Sequence, residues 1–210
     1  MSDQGTEEWR MQKAGKASAS RIWEVAARTK SGKGASYYNY MSDLLCERVT
    51  GRPLDRFVTA AMLEGTAREP DARAAYEFER GVEVQQVGFI DHPTIAMSGA
   101  SPDGLVGDDG MIEIKSPQLS AHIDTLLTET IPDKYVKQML FQMSVTGRQW
   151  VDYVSFNPDL PEHMALWIKR VHRDEKAIQE LEANVQEFLS ELDAKVKALR
   201  EKYEAKEMAA

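Results

Sequence analysis

The chain has 210 residues and a formal net charge of −8, with 42% hydrophobic and 29% charged residues. This length and composition are typical of a globular protein with one hydrophobic core. No apolar run approaches the roughly 20 residues that span a bilayer, and the polar N-terminus does not resemble a secretion signal. We therefore expect a single cytoplasmic domain over residues 1–210, with no membrane association.

Helical patterns dominate the first third of the chain, about residues 1–80. Cys46, the single cysteine, lies on one of them and is predicted to be a buried thiol. The predicted elements are a short helix over 20–27, a glycine-rich loop over 29–34, a helix capped by Ser36 that ends at Val49, and a helical stretch from about Asp55 to Arg80 with an interruption near Pro70.

Strand patterns begin at Gly81 and define a sheet core over about 81–172. A hairpin turn is predicted at Asp108-Asp109-Gly110. Helices mixed with strands indicate an α/β fold with a central mixed sheet flanked by helices. The strands are predicted near 82–89, 94–98, 104–106, 111–115, 150–156 and 165–171, with helices at about 120–128 and 133–146.

A long amphipathic helix is predicted at the end of the chain, over about 174–206. Its apolar residues recur every three or four positions, which places them along one stripe. The stripe can pack on the body of the domain or on another subunit, and we expect it to pack on its own chain. Its members are Ile178, Leu181, Val185, Phe188, Leu189, Leu192, Val196, Leu199 and Tyr203.

Three residues in the middle of the chain form a candidate metal site. Asp103 begins one strand, and Glu113 and Lys115 lie two apart on the next, so that both face the same side of the sheet. Adjacent carboxylates offer the oxygen ligands that Mg²⁺ prefers. An amine beside them can orient an attacking water or stabilise the transition state. Glu-Xaa-Lys alone is an ordinary exposed pattern, but the aspartate across a turn favours a phosphodiester-hydrolysing site.

The charge is unevenly distributed along the chain. Residues 10–33 carry a local excess of six positive charges, in which only Glu24 opposes the basic residues. Such a basic strip is typical of proteins that contact nucleic acid phosphates, although a solvated helix and loop give the same pattern. The basic residues are Arg10, Lys13, Lys16, Arg21, Arg28, Lys30 and Lys33.

Seven segments resemble, in conserved order, the family of phage lambda exonuclease and the YqaJ-type viral recombination nucleases. The resemblance extends from Trp9 to about Asp174. It implies a restriction-endonuclease-like core of the kind also found in RecB-type nucleases. The segments are EEWRMQKAGKASAS, SGK at residues 31–33, EGTAREPDARAAYEF, SPDGL, IEIKSP, YVKQMLFQMSVTGRQWVDYVSFNPD and VHRDEK.

The resemblance also implies an activity. Members of this family are Mg²⁺-dependent exonucleases, for which Mn²⁺ is a possible substitute. They degrade one strand of linear double-stranded DNA in the 5′ to 3′ direction, release 5′-mononucleotides and leave a 3′ overhang. The family further implies a homotrimeric ring around DNA and a single-strand annealing protein as the partner in recombination.

Further residues acquire catalytic or metal-binding roles from the same resemblance. Glu69 and the backbone carbonyl of Ile114 would complete the metal site with Asp103 and Glu113, for one or two Mg²⁺ ions. Tyr135 and Gln138 would line the active site from one helix face, since they are three residues apart. Gln142 lies one turn further along that helix.

DNA-binding roles fall mainly on the N-terminal helical part. Lys13, Ser18 and Ser20 occupy the positions that bind the 5′-phosphate, and Ser101 is a further candidate. Lys13 keeps the charge of the family's arginine but lacks its bidentate fork. Lys30 matches an arm that enters the DNA groove, and Met62 matches an apolar wedge that separates base pairs.

Two alternatives remain open. The chain is compatible with a different nuclease on the same core, such as an endonuclease or an enzyme of the other polarity. It is also compatible with a non-catalytic DNA-binding recombination accessory protein, although the intact Asp103, Glu113 and Lys115 argue against this. The four histidines match no zinc or catalytic spacing and are predicted to be structural or surface residues.

Overall fold

The computed structural model describes residues 4–30, 32–55 and 57–207. Ser31, the first residue of the SGK segment, lies outside the described residues. The first third of the chain is helical, as predicted. Its helices are α1 (Glu7–Lys13), α2 (Ile22–Val25, which follows a 3₁₀ turn at Ala19–Arg21), α3 (Ala35–Thr50) and α4 (Ala60–Arg80).

The helix α3 differs from the prediction at two residues. Gly34 occupies its N-cap position without a side-chain bond, so Ser36 lies within the first turn and does not cap the helix. Cys46 is exposed, so the predicted buried thiol is wrong. The reason is helical phase, because Tyr37, Tyr40, Met41, Leu44 and Glu47 form the buried face.

The helix α4 begins five residues later than predicted and has no break. The side chain of Thr59 caps it by accepting a hydrogen bond from the backbone N–H of Met62 at 3.2 Å. The helix continues through Pro70, so the predicted interruption is wrong. Proline removes one backbone hydrogen bond, and packing of α4 against the central sheet holds the helix together there.

A mixed five-stranded sheet forms the centre of the molecule, which confirms the predicted α/β class. Its strand order is β10-β9-β8-β7-β4, with β8 and β9 parallel and the other pairs antiparallel. A smaller sheet has the order β1-β6-β5, and β2 pairs with β3 in the predicted glycine-rich loop. The strands are β1 (Ala17–Ser18), β2 (Arg28–Thr29), β3 (Gly32–Lys33), β4 (Val84–Gln85), β5 (Ile90–Asp91), β6 (Ser98–Ala100), β7 (Gly104–Val106), β8 (Gly110–Lys115), β9 (Trp150–Phe156) and β10 (Leu166–His172).

Two of the predicted strand regions are wrong in extent. The region 82–89 contains only the two-residue strand β4, and most of the region 94–98 is a loop that precedes β6. His92 shapes this loop, because its Nδ1 atom accepts hydrogen bonds from the backbone N–H groups of Thr94 at 3.2 Å and Ile95 at 3.1 Å.

The hairpin between β7 and β8 turns one residue earlier than predicted. Val106 pairs with Gly110, so the turn consists of residues 107–109. Gly107 takes the left-handed conformation with a φ of 53°. Gly110 lies instead within β8, where a Cβ atom would come within 2.0 Å of the Trp150 ring. Both glycines are therefore required, the first by the turn and the second by a close contact.

Four helices complete the fold: α5 (Leu119–Thr128), α6 (Asp133–Thr146), α7 (Glu162–Ala165) and α8 (Glu175–Glu207). The apolar stripe of α8 is buried from Ile178 to Val196 in one core with α3 and α6, which confirms packing on its own chain. Leu199 and Tyr203 lie beyond this core and are exposed. Within the described residues, none of the helices combines the length and the apolar character that crossing a membrane requires.

Candidate active site

The β7–β8 hairpin brings the three central candidate residues together. Asp103 immediately precedes β7, and its Oδ2 atom accepts a hydrogen bond from the backbone N–H of Ile114 at 2.6 Å. Glu113 and Lys115 project from β8 on one face, while Ile112 and Ile114 pack into an apolar cluster. Strand alternation and one side-chain bond therefore place the carboxyl group of Asp103 beside β8.

Glu113 is a buried carboxylate with hydrogen bonds on both oxygens. Its side chain is 1% exposed. Oε1 accepts hydrogen bonds from Lys115 Nζ and from Gln138 Nε2, the latter at 2.6 Å. Oε2 accepts one from Gln142 Nε2 at 2.5 Å. A carboxylate can remain charged in such a site because N–H donors replace the lost water.

A cavity of about 620 Å³, here called the central cavity, lies over this hairpin. Glu113 does not line this cavity, but it accepts hydrogen bonds from two residues that do, Lys115 and Gln138. The cavity therefore joins all the predicted catalytic and metal-binding residues in one place. Those that line it directly are Glu69, Asp103, Ile114, Lys115, Tyr135 and Gln138.

The charges around the central cavity perturb one another. Burial raises the pKa of Asp103 well above its ordinary value; Glu113 and Glu69 raise it further, while Lys115 and the N–H of Ile114 act in the opposite direction. For Lys115, burial lowers the pKa, but the carboxylates of Glu113 and Asp103 outweigh burial and raise it above the ordinary value. Lys115 is therefore an ammonium group, and its hydrogen bond to Glu113 holds it in place.

The donor set fits a hard divalent cation. Asp103 and Glu113 provide two carboxylates, and Ile114 at the cavity wall provides a backbone carbonyl, which matches the oxygen ligands and low carboxylate number of Mg²⁺ sites. Glu69 lines the same cavity, and its Oε1 accepts a hydrogen bond from Arg73 at 2.5 Å. In the described part of the chain, no three His, Cys, Asp or Glu side chains are grouped closely enough to hold a metal.

A second cavity of about 510 Å³, here called the N-terminal cavity, is lined by Lys13, Ser18 and Ser20. The hydroxyl oxygens of Ser18 and Ser20 are 3.3 Å apart. Ser20 and Met62 line both cavities, so the two adjoin. The predicted phosphate-binding residues and the predicted metal site are thus neighbours in space.

The remaining predicted DNA-binding residues are less central. Ser101 does not line either cavity, but its Oγ accepts a hydrogen bond from Trp9 Nε1 at 2.9 Å. Trp9 lines the N-terminal cavity and carries the ammonium of Lys13 over its ring at 3.8 Å. Met62 is 56% exposed. Lys30 is exposed between β2 and β3 and lines neither cavity.

Three residues of the site were missed or only partly identified from the sequence. Gln142 follows Gln138 by four residues, which predicts the same helix face, and the structure joins it to Glu113. Tyr153 is buried and also lines the central cavity, since it lies in β9 as the register partner of Glu113 in β8. Lys134, which lines the cavity beside Tyr135, gave no distinctive signal.

The chain is similar to known proteins over most of its length. The model of the YqaJ-like viral recombinase domain family matches residues 8–149. The chain is similar to LHK-Exo as crystallised in complex with dAMP, with 48% identity over 94% of this chain and 97% of that chain and a TM-score of 0.89. It matches the alkaline exonuclease LHK-Exo from Laribacter hongkongensis with 49% identity, the same coverage and a TM-score of 0.88.

A more distant structure shares the fold alone. It is the phage-related exonuclease from Haemophilus somnus 129PT, with 13% identity over 88% of this chain and 96% of that chain and a TM-score of 0.72. No curated protein gives a significant match.

Proposed function

Because this chain belongs to the family of YqaJ-like viral recombinase domains and is a homologue of an alkaline exonuclease, we propose that it is a Mg²⁺-dependent 5′ to 3′ exonuclease. It degrades one strand of linear duplex DNA to 5′-mononucleotides and leaves a 3′ single strand for recombination by annealing. The observation that carries this proposal is the central cavity, which Asp103 and Lys115 line and behind which Glu113 binds Lys115, next to the N-terminal cavity.

The product class is supported by the relative of known structure. LHK-Exo is 48% identical and was crystallised with dAMP. A deoxynucleoside monophosphate is the kind of molecule that the proposed reaction releases at each step. The central cavity of this chain, at about 620 Å³, falls within the roughly 300–1,000 Å³ that is usual for small-ligand sites.

The chemistry assigns distinct tasks to the residues of the central cavity. Asp103, Glu113, Glu69 and the carbonyl of Ile114 would hold one or two Mg²⁺ ions, with Mn²⁺ as a substitute, and the bound metal would supply Lewis acidity and lower the pKa of a water. Lys115, as an ammonium group, donates hydrogen bonds that orient the water and stabilise the charge that develops on the phosphate. Gln138 fixes Glu113, and Tyr135 forms a wall of the cavity.

The two adjoining cavities support the proposed direction of attack. Lys13, Ser18 and Ser20 bind the 5′-phosphate in the N-terminal cavity, so that the next phosphodiester reaches the central cavity. Met62, which lines both, separates the terminal base pair as an apolar wedge. Ser101 supports the phosphate site through Trp9, and Lys30 contacts the DNA groove from its exposed hairpin.

The assembly and the biological partner follow from the family resemblance. We propose a homotrimeric ring that encloses the duplex in the cytoplasm and delivers the 3′ strand to a single-strand annealing protein. The resemblance of the segments between Trp9 and Asp174 supports this part of the proposal.

Digestion of linear duplex DNA labelled separately at its 5′ and 3′ ends tests the function. We expect early release of the 5′ label as a mononucleotide, with a preference for ends that carry a 5′-phosphate. EDTA should abolish release because it removes the metal ion. Glu113→Gln should also abolish release because it removes a carboxylate ligand of that ion. Earlier loss of the 3′ label, or cleavage of a closed circle, would favour the other nucleases. Unchanged DNA without any cleavage would favour the accessory protein.

The phosphate preference can be assigned to the N-terminal cavity with one pair of variants. Lys13→Ala should reduce the preference for phosphorylated ends, because it removes a cation from that cavity. Lys176→Ala changes the same charge on the exposed surface of α8 and should leave the preference intact. An equal response of both variants would contradict the assignment.

A further inference from the structure

Gln142 is a fully buried polar residue whose position in a core helix needs an explanation. It is 0% exposed and, unlike Gln138, does not line the central cavity. Its neighbours Phe141 and Met143 belong to the main apolar core. Leucine or methionine would fill such a position without burying an amide, so packing alone does not account for glutamine.

The hydrogen bonds of Gln142 point to one contact. Nε2 donates to Oε2 of Glu113 at 2.5 Å. In the part of the chain that the structure describes, the side-chain oxygen Oε1 is buried without a hydrogen-bond partner. Rotating the amide by half a turn would bring Oε1 against the carboxylate, so the charge of Glu113 fixes its orientation. Gln142 thus donates an N–H to Glu113 although its own Oε1 atom remains without a hydrogen bond, which is energetically unfavourable.

The two oxygens of Glu113 are held unequally. Oε1 has two donors, Lys115 and Gln138, whereas Oε2 has only Gln142 among the described side chains. Without Gln142, Oε2 would be a buried charged acceptor without a donor, and the carboxylate could rotate about its last bond. Gln142 therefore controls the orientation of the group.

We propose that Gln142 is a positioning residue that orients the Glu113 carboxylate for the divalent cation. The proposal rests on the proposed function, which assigns Glu113 to the metal. Partners of this kind, which hold a metal ligand without touching the metal, typically change metal affinity or activity by about 10–100-fold when they are replaced.

Metal binding in the absence of DNA tests the proposal. Gln142→Met removes the donor with little change in volume, and Gln142→Asn keeps an amide that is too short to reach Glu113. Free Mn²⁺, followed by electron paramagnetic resonance during titration, gives the dissociation constant of each protein. We expect both variants to bind Mn²⁺ about 10–100-fold more weakly than wild type. Both should lower kcat, with KM for DNA ends nearly unchanged.

Met143→Leu is the matched control, because it alters a fully buried neighbour on α6 that is not among the described hydrogen-bond donors to Glu113. Thermal unfolding without metal should show that Gln142→Met stays folded at the temperature of the titration, although the loss of the donor to Oε2 lowers its stability. Wild-type Mn²⁺ affinity in both Gln142 variants would overturn the proposal, as would an equal loss of affinity in Met143→Leu. If the wild-type protein binds Mn²⁺ and degrades DNA in those experiments, the proposed function still stands. If the wild-type protein neither binds Mn²⁺ nor degrades DNA, both the proposed function and the role of Gln142 are contradicted.

Discussion

The ring of Tyr135 lies beside two lysines that play different roles. The ammonium of Lys115 is 5.2 Å from the ring centroid and is held by Glu113. That of Lys134 is 4.6 Å from the same centroid, and its side chain lines the central cavity while remaining exposed. No acidic partner of Lys134 occurs in the described ranges. Because the surrounding carboxylates repel DNA, an unneutralised cation at this rim should contribute to substrate binding.

We expect Lys134→Ala to weaken the binding of DNA ends and to leave kcat within about twofold. One fewer phosphate contact should also reduce the slope of log affinity against log salt by about one. The measurement is KM for duplex ends over a series of salt concentrations.

Lys137→Ala is the control for that change, because Lys137 lies on the same helix but pairs with Asp133 and does not line the cavity. Its salt slope should equal that of wild type. A slope for Lys134→Ala that also equals wild type would show that Lys134 does not contact the backbone of DNA.

At the scale of elements, a buried polar chain connects α6 to its neighbours. His92, which follows β5, donates from Nε2 to Ser144 Oγ on α6 at 2.8 Å. Ser144 in turn donates to Glu182 on α8. Because Nδ1 accepts two backbone N–H groups, the single proton of the neutral imidazole lies on Nε2. The helix that carries Tyr135, Gln138 and Gln142 thus depends on a neutral histidine.

The hydrogen bonds that connect His92, Ser144 and Glu182 predict that acid destabilises the fold. Burial lowers the pKa of His92, although Glu182 raises it in part. Below the ordinary value of 6.5, the unfolded chain binds this proton more readily than the folded one. The stabilisation that neutral His92 contributes is therefore complete above about pH 6.5 and is lost as the pH falls through the pKa of His92 in the folded state.

Urea unfolding at pH 7.5 and 5.5 checks this expectation with His92→Gln, which cannot titrate. The free energy of unfolding of wild type should fall more between the two pH values than that of the variant. His163→Gln, at an exposed histidine, should behave like wild type. The same pH dependence in His92→Gln and wild type would mean that other groups cause the acid sensitivity.

At the scale of the whole molecule, internal pairs neutralise most of the basic strip. Arg10 pairs with Asp55, and Lys16 pairs with Asp91 at 2.6 Å. The remaining ion pairs join Arg21 to Glu24 and Asp43, and Lys33 to Glu187 and Glu191. Arg28 donates a hydrogen bond to the neutral side chain of Asn184 and keeps its charge. Most residues of this basic strip therefore stabilise the fold through internal ion pairs, whereas the sequence pattern indicated contacts with nucleic acid phosphates. A chain of net charge −8 then offers few cations to DNA, and in the proposed ring the duplex would meet three copies of each of them.

We therefore expect the protein in solution to have three times the 23.7 kDa mass of the chain. Sedimentation equilibrium at several concentrations, without DNA, measures this mass directly. A monomeric mass at micromolar concentration would contradict the trimer, and the exonuclease assay would then show whether a single chain is sufficient for activity.

Local periodicity accounts for the parts of the structure that the sequence predicted well. A strand alternates sides at every residue, so Glu113 and Lys115 had to share a face. A helix repeats every 3.6 residues, so the stripe from Ile178 to Val196 had to share one face, which the structure buries. Errors arose where a single residue decides a boundary, as at Ser36, or where neighbours override a local preference, as at Pro70.

The sequence by itself thus determined most of the helices and the longer strands, the mixed α/β class and the Asp103, Glu113 and Lys115 trio, because backbone geometry relates residues that are close along the chain. Only the tertiary structure decided which distant residues meet. Gln142 reaches Glu113 across 29 positions, Ser20 and Met62 join two cavities, and Lys33 pairs with acids on α8. These contacts depend on how separate elements pack together, and periodicity within one element carries no information about that.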